Sequence, residues 1–73
     1  MITAEEVYEA AQAVVEKAKK QKQIPLNCVF LGVEDILQIP GVGAGCQIKI
    51  LVDGSEKGAY MLLLEGGKQD ETE

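Results

Sequence analysis

Histidine, arginine and tryptophan are absent from this 73-residue chain, and Ser55 is its only serine. Catalysis by a nucleophile and a base most often depends on a histidine that takes the proton from a serine or cysteine. That route is excluded here. The only thiols belong to Cys28 and Cys46, and two thiolates without a histidine make a weak zinc site. The composition therefore predicts a protein that is not an enzyme and that carries no cofactor.

Positive charge is also scarce, because seven lysines stand against twelve acidic residues and leave a net charge of −5. Nucleic acids are bound through accumulated positive charge, and arginine supplies most of the paired contacts to phosphates and bases. We therefore expect no nucleic-acid partner. The lysines within residues 17–22 are interpreted as the solvated C-terminal end of a helix.

No hydrophobic run approaches the ~20 residues that a membrane-spanning helix needs, and no signal peptide precedes the charged, amphipathic N-terminal segment. The sequence predicts a cytoplasmic protein without a membrane partner. A chain of this length forms one domain with a small core, which we place at residues 1–67. Residues 68–73, KQDETE, are polar and mostly acidic, and we expect them to be a disordered tail.

An amphipathic helix is predicted at residues 3–21. Thr3 and Glu6 have the spacing of a capping box, in which each side chain accepts a hydrogen bond from the other residue's backbone N–H. Apolar residues then recur at helical spacing and form one stripe. The stripe consists of Val7, Ala10, Ala11, Val14, Val15 and Ala18. A stripe of alanine and valine suits a helix that lies close to a sheet and adds little bulk.

The first strand is predicted at residues 28–33, CVFLGV, because a short apolar run is typical of a strand covered on both faces. Gly32 inside this run indicates a β-bulge or the close approach of another backbone. Residues 34–39 leave two possibilities open. They either extend the strand or form a turn of helix before Pro40.

Two further strands are predicted at residues 46–53 and 59–65, folded into a hairpin. The first of them alternates apolar and polar residues and is rich in β-branched side chains, as in a half-buried strand. A three-residue loop at 56–58 that ends in glycine places Val52 opposite Leu62. This register pairs the largest apolar residues on one face.

The predicted fold class is α+β: an N-terminal amphipathic helix packed on a three-stranded antiparallel sheet, in the order α-β-β-β. The predicted register leaves Leu51, Met61 and Leu63 on the outer face, away from the helix. A contiguous apolar patch of this kind usually marks an interface. The leading hypothesis is a small interaction or assembly module that forms a homodimer or binds a protein partner.

The segment ILQIPGVG, which ends at Gly43, resembles the helix-hairpin-helix motif, in which a Pro-Gly-apolar-Gly hairpin joins two short helices. In that family the N–H groups of the hairpin hold a DNA phosphate. The resemblance covers residues 36–51. It implies a nucleic-acid site at Gly41, Val42 and Gly43, with Lys49 nearby, and a helix in the second half of the motif.

The second half departs from that motif. Gln47 occupies the position of the family's small residue, and the alternating Ile48, Ile50 and Val52 favour a strand. The motif and the strand are alternatives, because the same residues cannot form both.

Three glycines, Gly41, Gly43 and Gly45, have a spacing that suggests a phosphate-binding loop. A dinucleotide-binding fingerprint needs its third glycine where this chain has Cys46, and a P-loop needs a lysine followed by serine or threonine. The glycines are therefore interpreted as a flexible connector that leads into a strand. A small-ligand site that uses the loop at residues 41–45 is a further alternative.

Overall fold

The computed structural model describes residues 2–65, which form one helix and three strands. The elements are α1 (Ala4–Lys20), β1 (Val29–Ile39), β2 (Gly43–Val52) and β3 (Ser55–Leu64). The strands form an antiparallel sheet in the order β1-β2-β3. Helix α1 packs on one face of it, which we call the inner face. The predicted α+β architecture is confirmed, whereas the predicted tail at residues 68–73 lies outside the described residues.

Helix α1 begins and ends within one residue of its predicted bounds. The Thr3 N–H donates to a Glu6 carboxylate oxygen at 2.8 Å, and the Glu6 N–H donates to Thr3 Oγ1 at 3.1 Å, so the capping box forms as predicted. Val14 was placed in the apolar stripe but is 47% exposed. The stripe that contacts the sheet is therefore narrower than the sequence pattern. Its buried members are Val7, Ala11 and Val15.

The core between α1 and the sheet is built from small side chains. Alternate residues of β2 are buried in it, namely Ala44, Cys46 and Ile48. Met61 and Leu63 of β3 pack against the same residues from the side. The predicted position of Met61 and Leu63 on the outer face is therefore wrong, because both lie on the inner face.

The β2–β3 hairpin closes through a two-residue turn, Asp53–Gly54, and Val52 pairs with Ser55. Both turn residues have positive φ, 51° for Asp53 and 79° for Gly54, as a type I′ turn requires. The predicted three-residue loop at 56–58 is wrong, and with it the register. The true register differs from the predicted one by an odd number of residues, which moves every side chain of β3 to the opposite face.

Strand β1 is longer than predicted, because residues 34–39 extend it. Its pairing with β2 shifts twice, between Phe30 and Gly32 and again between Glu34 and Leu37. The first shift shows that, of the two possibilities predicted for Gly32, the β-bulge is the correct one, and φ at Gly32 is 140°. The second contains Asp35, whose φ is 56°. Two bulges in one strand increase its twist.

The β1–β2 turn is formed by Pro40 and Gly41. The Val42 N–H donates to the Ile39 carbonyl oxygen at 3.0 Å, and Gly41 has a φ of 74°, which fits a type II turn with proline and glycine in its central positions. Residues 43–52 then form β2. The second helix implied by the helix-hairpin-helix resemblance is absent from these residues, and that interpretation is wrong.

Candidate functional site on the outer face of the sheet

The outer face of the sheet, turned away from α1, divides into two halves of different chemistry. Directly paired residues of antiparallel strands share a face, so the register assigns to the outer face alternate residues of β2, from Gly43 to Leu51, and their partners. The half beside the β2–β3 turn carries charge. The half beside the β1–β2 turn is apolar.

The charged half centres on Lys49 of β2. Lys49 Nζ lies 3.3 Å from Glu34 Oε2 on β1 and 3.7 Å from Glu56 Oε1 on β3, so one ammonium group joins all three strands. The hydrogen bond to Glu34, supported by the charges of Glu34 and Glu56, raises the pKa of Lys49 above its ordinary value of 10.5. Exposed ion pairs contribute little to stability. They favour the observed register, because other registers would lose these pairs of opposite charge. They also keep this half of the face hydrated.

The apolar half is formed by five side chains that we call the outer apolar patch: Leu37 and Ile39 of β1, and Tyr60, Leu62 and Leu64 of β3. Four of them are exposed, with 65% for Leu37, 86% for Tyr60, 54% for Leu62 and 38% for Leu64. Single exposed apolar residues are ordinary on protein surfaces, whereas a contiguous group marks a contact site. The predicted register, with Val52 opposite Leu62, turned Leu62 towards the helix, so this patch was missed.

Gly45 of β2 gives the patch a concave shape, because it pairs with Leu37 on one side and Leu62 on the other and has no side chain of its own. The result is a groove of about 680 Å³ between the side chains of the two outer strands. Asp35 is the one charged residue in its lining. A groove of this shape and chemistry accepts an apolar side chain or a small apolar ligand.

The predicted interface residues are not brought together. Leu51 lies on the outer face, as predicted, but it pairs with Val29 and Glu56 beside the charged half. Met61 and Leu63 lie on the other face and contact the core. The dipeptide Asp53–Gly54 is the sequence signal that gives the correct faces, because Asp-Gly between two apolar strands favours a two-residue turn.

The predicted loop site at Gly41, Val42 and Gly43 takes part in the hydrogen bonding and packing of the fold. The Val42 N–H donates to the Ile39 carbonyl, and the Val42 carbonyl oxygen accepts from the Glu65 N–H at 2.8 Å. Gly43 is buried against the backbone of β3. Lys49 lies six residues along β2, about 20 Å away at ~3.3 Å per residue. The Val42 N–H group is therefore not available to bind a phosphate, and Lys49 is too far away to supply the positive charge that a phosphate site needs.

Both cysteines are free and buried. Burial raises the pKa of the Cys46 thiol above its ordinary value of 9.0 and so keeps it neutral. Within residues 2–65, no group of three or more histidine, cysteine, aspartate or glutamate side chains is placed to hold a metal ion. The two thiols are thus part of the packing in the described structure.

A second concave surface lies where α1 leads into β1. It has a volume of about 640 Å³ and is lined by three lysines and by residues 23–26. Leu26 in this lining is 78% exposed. It provides an exposed leucine that is far from the outer apolar patch in sequence and lies in the connection between α1 and β1.

No helix in residues 2–65 has both the length and the hydropathy to cross a bilayer. Comparison with protein-family models, with curated proteins and with solved structures finds no match.

Proposed function

We propose that this protein is a small non-enzymatic interaction or assembly module that self-associates through the outer apolar patch. The observation that carries this proposal is the exposure of Leu37, Tyr60 and Leu62 around the groove over Gly45. The proposal keeps the function predicted from the sequence and moves it to different residues.

A second copy of the chain is the occupant that the patch fits best. The eight residues from 66 to 73 include no apolar side chain, so this segment offers nothing apolar to cover the patch. Packing of one patch on another about a two-fold axis brings a projecting Tyr60 from each copy towards the groove of the other. Such isologous contacts are the commonest form of self-association. The apolar composition of the patch supplies the driving force.

Native mass, measured by light scattering over a dilution series, tests the proposal. The parent protein should exceed the monomer mass of 7.9 kDa at high concentration and approach it on dilution. Leu62→Lys places a charge in the patch and should lower the mass at every concentration where the parent exceeds the monomer mass. Leu26→Lys makes the same change at an exposed leucine outside the patch and should leave the mass unchanged.

A monomeric parent throughout the series would exclude self-association. Equal masses for the parent, Leu62→Lys and Leu26→Lys would place the contact elsewhere.

A small-ligand site in the same groove is the second candidate, supported by the groove volume of about 680 Å³. It replaces the version based on the glycine loop, whose N–H at Val42 is already bonded. If the groove is a small-ligand site, the parent should be monomeric and should bind an apolar fluorescent dye with 1:1 stoichiometry. Gly45→Leu fills the groove and should abolish dye binding, while Gly58→Ala, on the same face of the sheet, should leave it intact.

A further inference from the structure

The two edges of the sheet differ in a way that concerns assembly. Strand β1 forms one edge and is interrupted by two bulges, a feature that protects edge strands against pairing with another chain. Strand β3 forms the other edge and pairs with β2 residue for residue over all ten positions, without a bulge or a proline. In the described part of the chain no further strand lies beyond β3.

The backbone groups on the free side of β3 can be assigned from one hydrogen bond. The Glu65 N–H donates to the Val42 carbonyl at 2.8 Å, so odd-numbered residues here direct their N–H and C=O groups towards β2. In an antiparallel ladder these directions alternate along the strand. The even-numbered residues therefore present their backbone groups at the open edge. They are Glu56, Gly58, Tyr60, Leu62 and Leu64.

We propose that the free edge of β3 pairs antiparallel with β3 of a second copy, which joins two sheets into one of six strands. The register places Tyr60 opposite Leu62 of the other copy, so that Gly58 falls opposite Leu64. In this register the pair of Tyr60 with Leu62 occurs twice, once on each side of the two-fold axis. It also leaves the charged Glu56 beyond the paired segment. The inference rests on the proposed function, because it specifies how the chain self-associates.

The size of the outer apolar patch favours a second copy over an unrelated strand. Its exposed side chains offer on the order of 400 Å², taking roughly 100 Å² for each large apolar group. A stable interface buries about 800 Å² on each partner. Pairing along β3 sets the Tyr60 and Leu62 side chains of two copies side by side and merges two patches into one of about that size. Two six-stranded sheets packed face to face then bury the merged patches and close as a tetramer.

The segment at 59–64, AYMLLL, gives a second reason. It contains neither a charge nor a proline, and an exposed edge of this composition adds further strands without limit unless it is covered. Pairing with β3 of one second copy occupies the hydrogen-bonding groups of this edge, so no further strand adds to it. The bulged β1 edge remains outside and is protected.

Gly58→Pro tests the edge without removing any side chain from the patch. Its N–H points away from β2, so proline removes a bond to the second copy and leaves the ladder with β2 intact. Gly58→Ala is the matched control, because it keeps the N–H and its Cβ has ordinary contacts of 3.5–3.7 Å with the Gln47 side chain. Gly58→Pro should lower the native mass to half that of the parent or less, with an unchanged circular dichroism spectrum, and Gly58→Ala should match the parent in mass. A parent mass retained by Gly58→Pro overturns the inference.

Amide hydrogen exchange of the parent gives a readout that needs no variant and decides the matter if Gly58→Pro fails to fold. Odd-numbered amides of β3 are bonded to β2 and should be protected at all concentrations. The amides of Tyr60 and Leu62 should exchange at least tenfold more slowly at a concentration where the mass is above monomer than at one where it is monomeric. If the mass rises and these two amides stay fast, edge pairing is wrong and self-association through the patch alone stands. If the mass never rises, both proposals are wrong.

Discussion

The two hairpins of the sheet share β2 but are built differently. The β1–β2 hairpin turns through Pro40 and Gly41 and then accommodates two bulges in β1. The β2–β3 hairpin turns through Asp53 and Gly54 and continues without irregularity for ten pairs. The bulged hairpin has a twisted, protected outer edge, whereas the regular one leaves a flat edge of apolar composition. This difference is the reason that we propose the edge of β3, and not that of β1, as the contact with another chain.

The hairpins meet at Gly43, which belongs to both. Gly43 pairs with Ile39 in the first hairpin and with Leu64 in the second. Its φ is 153°, and a Cβ at this position would overlap the carbonyl oxygen of Leu63. The close approach lets the first turn lie against the end of β3, where the Glu65 N–H bonds to the Val42 carbonyl.

The largest effect is expected from Gly43→Ala, which breaks the contact between the two hairpins. The overlap with Leu63 and the strained backbone together should cost roughly 3–5 kcal/mol, enough to unfold much of a domain this small. Urea denaturation followed by circular dichroism measures the loss. Gly58→Ala, in extended backbone on β3, is the control and should stay within about 0.5 kcal/mol of the parent. A Gly43→Ala protein as stable as that control would show that the hairpins do not depend on this contact.

The second-largest loss of stability is expected from substitutions in the two turns. Gly41 and Gly54 have φ values of 74° and 79°, and a Cβ added at either meets no atom within 4 Å. Gly41→Ala and Gly54→Ala therefore act through backbone strain alone, at about 1–2 kcal/mol each. Similar losses in urea denaturation are expected although the two turns differ in type. A loss well above this range in one variant would show that its turn makes a packing contribution in addition.

Local signals were sufficient to predict the helix and the fold class. The capping box at Thr3 and Glu6 and the spacing of three and four in the apolar stripe act within a few residues of each other, so the sequence displays them directly. The bulge at Gly32 was visible for the same reason. The element order then followed from helix and strand patterns of ordinary length.

The site could not be predicted in the same way, because it depends on register. Leu62 and Leu63 are neighbours and are equally apolar, so composition does not say which one faces the helix. The two-residue turn at Asp53–Gly54 decides it, and the wrong choice of a loop at 56–58 exchanged the two faces of β3. The groove over Gly45 depends on both registers at once. No pattern within a single strand contains that information.

A smaller effect is expected at Cys46, which pairs with Met61 in the regular hairpin and lies opposite the second bulge of the other. Its thiol pKa is raised above 9.0 by burial. A folded-state pKa above the unfolded value means that the related stability is fully present below pH 9 and is lost as the pH rises further. The parent should therefore lose more stability between pH 8 and pH 10.5 than Cys46→Ala does, although the variant is less stable at neutral pH because of the small cavity.

Urea denaturation at several pH values measures both slopes. Equal losses in the parent and Cys46→Ala over that range would show that the folded state does not raise the thiol pKa, and therefore that water reaches Cys46 beside the bulge.

The smallest expected effect is a change in the Lys49 pKa, which compares the ion pair in one hairpin with that in the other. Lys49 bonds to Glu34 across the bulged hairpin and to Glu56 across the regular one, and the hydrogen bond to Glu34 is the larger cause of its raised pKa. Glu34→Gln should therefore lower the Lys49 pKa more than Glu56→Gln does, since it removes the shorter contact, 3.3 Å against 3.7 Å. Because the Lys49 pKa is raised, any stability that depends on its charge is present below pH 10.5 and disappears at higher pH. An NMR titration of the Lys49 side chain in both variants gives the order directly. The reverse order would mean that the regular hairpin holds Lys49 more closely, and that the bulge at Asp35 leaves Glu34 free to move away.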